Sequence, residues 1–230
     1  MAISPSPRVE SLDAADIGEA ALPLGLGLSA SQSQTMARYV ALLLRWNSVH
    51  NLTAIQSSAD VLTHHLLDSL AVLPHVQRLS GPRPVKVLDV GSGGGLPGVP
   101  LAIAAPNWHV TLVDKVQKKV AFLMQAKLEL PLANVECVHA NVEDLRPLSS
   151  FHVVVARAFA TLSEFVRATR HLIAPGGWWF AMKGVRPDAE LDALQVSASD
   201  VQVLETIRLR VPGLAAQRHL IVMQLRPLSG

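Results

Sequence analysis

From residue 84 onward two hydrophobic rhythms alternate along the chain. Short, nearly unbroken apolar runs occur at VKVLDV (85–90), HVTLVD (109–114), VECVHA (135–140), FHVVVA (151–156) and WWFAMK (178–183). Between them apolar residues return every three or four positions, in VPLAIAA, VQKKVAFLMQAKLEL and TLSEFVRATRHLI, the last opened by a Thr161/Glu164 capping box. Continuous apolar runs predict strands buried on both faces, so the pattern predicts a parallel sheet covered by helices on either side. Beyond a helix-like PDAELDALQV stand two more strand candidates, ETIRLRV (205–211) and RHLIVMQL (218–225). Only PGLAAQ separates them, too little for a helical crossover, so this pair is expected to be antiparallel.

The first third of the chain has no strand rhythm. Residues 1–30 are rich in Ser, Pro, Ala and Gly and are expected to be loosely ordered, at least to Val9. SQSQTMARYVALLLRWNSVH predicts a helix with a Ser31/Gln34 capping box and a stripe of Met36, Tyr39, Val40, Leu43 and Leu44. ADVLTHHLLDSLAVLPHV predicts a second helix, capped by Asp60, with Leu62, Leu66, Ser69, Leu70 and Leu73 facing inward. After the linker GPRP the α/β pattern begins, so the chain divides into a loose 1–30, a helical element 31–80 and a main domain 84–226.

Composition narrows the class. Half of the 230 residues are apolar and 17% are charged, as in a globular protein with a sizeable core. The formal net charge of +2 is unevenly spread: residues 1–80 hold four Lys/Arg against six Asp/Glu, the remainder sixteen against twelve. This mild basic bias of the main domain suits a polyanionic partner without requiring one. Cys137 is the single cysteine, which excludes intramolecular disulfides and a cysteine metal cluster. The N-terminus lacks the basic flank and apolar core of a signal peptide, and no apolar run reaches the ~20 residues of a membrane span. The expectation is a cytoplasmic protein without a membrane segment.

The chemistry concentrates at DVGSGGGLPG (89–98), which holds five of the fourteen glycines directly after the first strand. A strand, a glycine turn and a helix form the ligand crevice of doubly wound folds. Counted from Gly93 the loop fits G-x-G-x-x-G (93, 95, 98), a dinucleotide fingerprint; counted from Asp89 it fits D-x-G-x-G-x-G, the loop for S-adenosylmethionine. Either ligand needs backbone free of Cβ atoms, and a tight turn alone would use the same glycines. Asp89 at the loop mouth would repel pyrophosphate and suit the amine of a methionine, and Pro97 fits the first turn of the next helix. Asp114 ends the second strand, where an acid accepts both ribose hydroxyls of an adenosyl group or serves as a helix cap. Val142 and Glu143, after the third strand, would edge an adenine or be solvated loop residues. At the fourth strand tip Arg157 can meet a carboxylate, a phosphate or a surface ion-pair partner, and Phe159 can stack on a base.

Five parallel strands followed by an antiparallel pair is the chain order of the α/β class I (Rossmann-like) methyltransferase sheet, here with an N-terminal helical appendage. The chain resembles one family of that class, the small-subunit rRNA guanine-N7 methyltransferases called RsmG or GidB, over about residues 35–225. The resemblance is carried by WNSVHNLTAI (46–55), HHLLDSL (64–70), LDVGSGGGLPGVPLAI (88–103), TLVDKVQKKVAFL (111–123), RAFATLSEFV (157–166), APGGWWFAMKG (174–184) and VPGLAAQRHLIV (211–222). It implies methyl transfer from S-adenosylmethionine to N7 of a guanine in the 530 loop of bacterial 16S rRNA (guanine 527 in reference rRNA numbering). It further implies cofactor contacts at Gly91, Leu96, Val142, Glu143 and Arg157, with Asp114 at the ribose; from the loop pattern Asp89, Gly93 and Gly95 are expected to bind the cofactor with them. His64 stands where many members have Arg, Gln217 where Glu is usual, and Lys115 where Ser is common.

N7 of guanine carries an accessible lone pair, so its methylation needs no general base; in-line positioning in a water-poor pocket carries the rate. No acid/base residue is expected. Candidate RNA contacts are Arg157, Phe159, Lys183, Arg186 and Arg218, with Arg167, Arg170, Lys118 and Lys119 as further cations that equally suit a solvated helix face. Cytosine-C5 methylation would need a cysteine after the fourth strand, and Cys137 lies in the third; amino-group methylation would need an Asn/Asp-Pro-Pro-aromatic tetrad where RAFA stands. The readings left beside it are an NAD(P)-dependent oxidoreductase, favoured by the 93–98 register alone, and a noncatalytic rRNA-binding module. Adjacent His64 and His65 would point about 100° apart on a helix and hold no metal. The expected partner is 16S rRNA within a small-subunit particle, met by a monomer.

Overall fold

The computed structural model describes residues 12–50, 52 and 57–227. Seven strands, β1 (Lys86–Val90), β2 (His109–Asp114), β3 (Val135–His139), β4 (Phe151–Arg157), β5 (Ile173–Lys183), β6 (Val201–Leu209) and β7 (Arg218–Leu225), form one sheet in the order β3-β2-β1-β4-β5-β7-β6. β1 to β5 are parallel, and β7 runs antiparallel to both β5 and β6. The order reverses at β1, which pairs with β2 on one side (Asp89 opposite Leu112) and with β4 on the other (Asp89 opposite Val155). Open α/β sheets offer their ligand crevice at such a reversal, beyond the carboxyl ends of the strands.

Alternate residues of these strands feed two cores. Val87, Val110, Leu112, Val153 and Phe180 pack under the N-terminal helices, α6 (Gly98–Ala104) and α7 (Gln117–Glu129). Leu88, Val90, Val113, Val154 and Trp179 pack under α8 (Leu162–Thr169) and α9 (Asp188–Ser197) on the other face. The Thr161/Glu164 capping box opens α8 as expected. Two strands differ from their predicted bounds by more than one residue. β5 starts at Ile173 because Ile173 already pairs with Phe151 of β4, and APGG is then skipped at a register shift before pairing resumes at Trp178 opposite Val153. β6 starts at Val201, and a bulge between Val203 and Glu205 breaks the alternation on which sequence reading depends.

The N-terminal third departs further. The stretch expected to be loose contains α1 (Ala14–Ala21), capped by Asp13 and anchored by fully buried Ile17 and Ala21; residues 1–11 lie outside those described. α2 (Ala30–His50) is opened by Ser29 and Gln32, not Ser31 and Gln34: Ser29 Oγ accepts the Gln32 N–H and Gln32 Oε1 accepts the Ser29 N–H. The same Gln32 amide donates to the carbonyls of Ile103 and Ala104, so the cap that forms is the one that also satisfies the end of α6. The second predicted helix is broken into α3 (Ser58–Val61), a π-helical turn (Leu62–Leu67), α4 (Asp68–Leu70) and α5 (Leu73–Ser80). Ser57 rather than Asp60 is its cap, with Asp60 donating its N–H to Ser57 Oγ. The wide π turn rotates the buried face, so Leu62 is half-exposed while His65 and Asp68 turn inward beside Leu66 and Leu70. No helix among the described residues is long and apolar enough to cross a membrane.

Candidate active site

The carboxyl ends of β1 to β4 surround a cleft of about 470 Å³. Of the residues singled out in the sequence, Gly91, Asp114, Val142, Glu143 and Phe159 line it, together with Lys115, Lys119, Glu164 and Arg167. Asp89, Gly93, Gly95, Leu96, Arg157, Lys183, Arg186 and Arg218 do not.

The glycine loop places each of these residues. Gly91 leaves β1 at φ 69, a conformation that favours glycine, and a Cβ built there would project into the cleft, its nearest neighbour Phe159 Cδ2 at 3.9 Å. The floor of the cleft at this point is therefore bare backbone. Five of the loop's N–H groups, expected to face a ligand, are instead used within the protein. Those of Gly91 and Ser92 donate to the Val113 carbonyl, those of Gly95 and Leu96 to the Ser92 carbonyl, and that of Gly93 to Asp114 Oδ2 at 3.0 Å.

Asp89 is the main correction to the expected site. It is fully buried beneath the loop rather than at its mouth, and its Oδ2 accepts the N–H of Gly98, the first residue of α6, at 2.9 Å. The close approach exists because Gly98 has no side chain: a Cβ there would stand 2.2 Å from Leu112 Cδ2 and 2.7 Å from Asp89 Oδ2. Asp89 Oδ1 has no hydrogen-bond partner among the described residues. Burial pushes the Asp89 acid up to about 7, against the Gly98 N–H, the Ser92 hydroxyl and the Arg157 charge. Pro97, expected inside the first turn, is the cap residue of α6 and follows a cis peptide bond.

Asp114 reaches the cleft wall from the end of β2 while remaining 5% exposed. Its Oδ1 accepts the Val116 N–H at 2.8 Å, its Oδ2 that of Gly93, and Lys119 Nζ stands 3.9 Å away. Each oxygen keeps a lone pair for a further donor. Opposite, Val142 and Glu143 lie on a 3₁₀ turn after β3, and Glu143 is tied across the cleft to Arg167 of α8 at 2.8 Å. Phe159 is brought over Gly91 by Ala158, whose φ of 52 is the one positive value outside glycine among the described residues. The Phe159 ring leans on Phe165, centroids 5.5 Å apart.

The expected RNA cations are all paired within the chain. Lys183 meets Glu190 at 2.8 Å and Arg186 meets Asp188 at 2.8 Å. Arg170 pairs with Asp200, and Lys118 donates to the His50 carbonyl. Arg157 turns away from the cleft toward the π turn: its Nη1 donates to the His64 carbonyl at 3.0 Å, and it lies 3.2 Å from His65 Nδ1 and 3.4 Å from Asp68 Oδ2. Arg218 Nε donates to the other oxygen, Asp68 Oδ1, at 3.1 Å. Burial pushes the Asp68 acid up while both guanidiniums pull it down. His65 is held neutral, its acid pushed down to about 4 by burial and by Arg157. Asp68 and His65 were not singled out as site residues. The available signal was an acid set inside the apolar stripe of HHLLDSL. Tyr39, read only as core, donates its buried hydroxyl to the Gly94 carbonyl.

The chain matches the family model described as rRNA small subunit methyltransferase G (GidB) over residues 32–221. It is 52% identical over 203 residues to the Ribosomal RNA small subunit methyltransferase G of Laribacter hongkongensis, covering 88% of this chain and 94% of that one. The protein of the same name from Burkholderia thailandensis is 51% identical over 213 residues, 91% of this chain and 90% of its own. Solved structures share the fold at low identity. The glycopeptide N-methyltransferase MtfA in complex with (S)-adenosyl-L-methionine superposes with a TM-score of 0.56 at 13% identity, over 70% of this chain and 94% of MtfA. The ribosomal protein L11 methylase of Lactobacillus delbrueckii gives 0.54 at 12%, over 69% and 78%. The sheet order is thus that of class I methyltransferases, and by the match over most of its length the chain belongs to the rRNA small subunit methyltransferase G family.

Proposed function

We propose that the protein transfers a methyl group from S-adenosylmethionine to N7 of a guanine in the 530 loop of bacterial 16S rRNA. It does so in the cytoplasm, as a monomer acting on a small-subunit particle. The observation that carries the choice of cofactor is Asp89. Its carboxylate already occupies the first N–H of α6, and the glycine loop spends the N–H groups of Gly91, Ser92, Gly93, Gly95 and Leu96 on Val113, Ser92 and Asp114. A pyrophosphate needs that helix terminus and those donors, so the arrangement disfavours a dinucleotide and with it the NAD(P) oxidoreductase. A sulfonium cofactor needs the bare floor at Gly91 and an acid for its ribose, and both are present in the cleft.

In this reading Asp114 accepts the ribose hydroxyls, and the turn at Val142 and Glu143 edges the adenine. Gly91 gives clearance to the methionine end, and Gly93, Gly95, Leu96 and Asp89 hold the loop. Bound there, S-adenosylmethionine supplies a sulfonium methyl that a guanine N7 lone pair can take without prior loss of a proton. The chain's own task is then orientation and exclusion of water. Phe159, at the cleft mouth and braced by Phe165, offers a face on which the base can stack. The exposed Glu164 and Arg167 line the same wall, but the reaction asks no general base of Glu164.

Calorimetry with S-adenosylmethionine and with NAD tests the cofactor; binding of NAD alone would overturn the reading. The acceptor is tested on 16S rRNA from cells with and without the gene, cleaved chemically at 7-methylguanine. Cleavage in the 530 loop should vanish with the gene; unchanged cleavage would refute the substrate.

A further inference from the structure

We propose that Asp68 is a positioning residue that fixes Arg157 and Arg218 as a seat for one backbone phosphate of the RNA substrate. The proposal rests on the rRNA-methylation reading given above and deepens it. Three parts of the chain meet here: the π turn and α4 of the N-terminal element, the last residue of β4 and the first of β7. Asp68 is sealed, its side chain 2% exposed, and each of its oxygens takes a different arginine. Both arginine side chains are 23% exposed, so the carboxylate is sealed while the two cations that share it keep part of their surface open. His65 is neutral and adds no charge, leaving two cations against one anion.

The donors are only partly used. Arg157 spends Nη1 on His64, His65 and Asp68; its Nε and Nη2 have no acceptor among the described residues. Arg218 spends Nε on Asp68 and Nη1 on the Gln217 carbonyl, leaving Nη2. Two planar forks tied to one carboxylate, each with N–H groups left unbonded among the described residues, match the geometry of a phosphate. Lys183, Arg186, Arg167 and Arg170 each have an acidic partner of their own, whereas these two share one. Neither arginine lines the cleft, so the seat stands beside the reacting centre, where the strand flanking a stacked base would pass, rather than at the cofactor. Phe159 is two residues beyond Arg157 and does line the cleft, so the β4 tip links seat and base. The π turn contributes directly, since its wider winding presents the His64 carbonyl to Arg157.

The test uses the whole protein with small subunits from cells lacking the gene, comparing Asp68→Asn and Arg218→Gln with the parent. Arg218→Gln should raise the KM for subunits about ten-fold, as expected for loss of a charge-assisted hydrogen bond, and lower the salt slope of log KM by about one. Asp68→Asn retains both cations, so the slope should stay while the KM rises by a similar factor. For both variants kcat and the affinity for S-adenosylmethionine should remain within about two-fold of the parent. Unchanged KM in Arg218→Gln overturns the proposal. A loss of S-adenosylmethionine affinity equal to the rise in KM also overturns it, because the pair would then serve the cofactor or the fold. Should Asp68→Asn melt too early to assay, Arg218→Gln decides alone, since Asp68 keeps Arg157 in that variant. If the parent methylates no subunit, the functional reading fails first; if the parent is active and the variants match it, only the phosphate seat fails.

Discussion

Tyr39 donates its hydroxyl to the carbonyl of Gly94, tying the middle of α2 to the glycine loop. Leu43, one turn further along α2, packs where a Cβ on Gly94 would stand. With Gln32 bonded to the far end of α6, one helix braces both the loop and the helix that follows it. Burial drives the Tyr39 acid far above its ordinary value, so the phenol remains a donor at every working pH.

Tyr39→Phe removes the donor and leaves a buried carbonyl unpaired, which costs about 1–3 kcal/mol. We expect a lower Tm and a several-fold weaker affinity for S-adenosylmethionine, because the loop is no longer held to α2. Thermal melting with and without the cofactor, together with calorimetry, separates the two. A lower Tm with unchanged affinity would show that the bond serves only the fold.

Gly98 is a second point where the loop depends on close approach. A methyl group there would overlap Leu112 and the Asp89 carboxylate, both in the buried core. Gly98→Ala should therefore cost about 1–3 kcal/mol in urea unfolding, the range for overpacking. Gly184 has nothing within 4 Å of its missing Cβ and no unusual φ, so Gly184→Ala is the matched control and should be near neutral. Equal effects at the two positions would refute the steric account.

The sheet was legible because strands buried on both faces leave no choice of pattern: β2 and β7 occupy the very residues their apolar runs marked. Asp114 was legible for the same reason, since a strand end at the sheet's carboxyl edge fixes where its side chain goes. The helix start was not. SASQSQ offers Ser29/Gln32 and Ser31/Gln34 equally, and the choice is made by the carbonyls of Ile103 and Ala104, far along the chain. Asp89 was misplaced because its burial depends on how tightly Gly98 approaches, a tertiary distance. Arg157 and Arg218 read as RNA contacts from the strand pattern, but nothing local reveals that a π turn would set Asp68 between them.

Asp89 makes stability depend on pH in an unusual sense. Its acid lies at about 7 in the folded protein, against 3.8 for an unburied carboxyl. Between those values the folded chain keeps a proton that the unfolded chain has lost. The contribution is therefore fully present below about pH 4 and is lost as pH rises toward 7, by at most about 1.4 kcal/mol per pH unit. Asp89→Asn cannot titrate. The stability of the parent relative to this variant should fall from pH 4.5 to pH 7 and then level off, as read from urea unfolding at several pH values. A difference that does not change with pH would mean that Asp89 is ionised throughout.

Asp114 faces two ways, and its two tasks can be separated. Toward the protein it holds the N–H groups of Gly93 and Val116; toward the cleft it offers the remaining lone pairs. In Asp114→Asn one oxygen becomes an NH₂ that meets a backbone N–H, so the loop loses a bond and the cleft loses its negative charge. We expect the affinity for S-adenosylmethionine to fall by about ten-fold or more, given ~1.5–3 kcal/mol for each charged hydrogen bond. The ribose assignment is tested with adenosine, which lacks the methionine end. If Asp114 accepts the ribose hydroxyls, adenosine and S-adenosylmethionine should weaken by the same factor, and 2′,3′-dideoxyadenosine should bind parent and variant alike. If S-adenosylmethionine weakens while adenosine does not, the acid acts through the glycine loop on the methionine end, and the ribose contact must be reassigned.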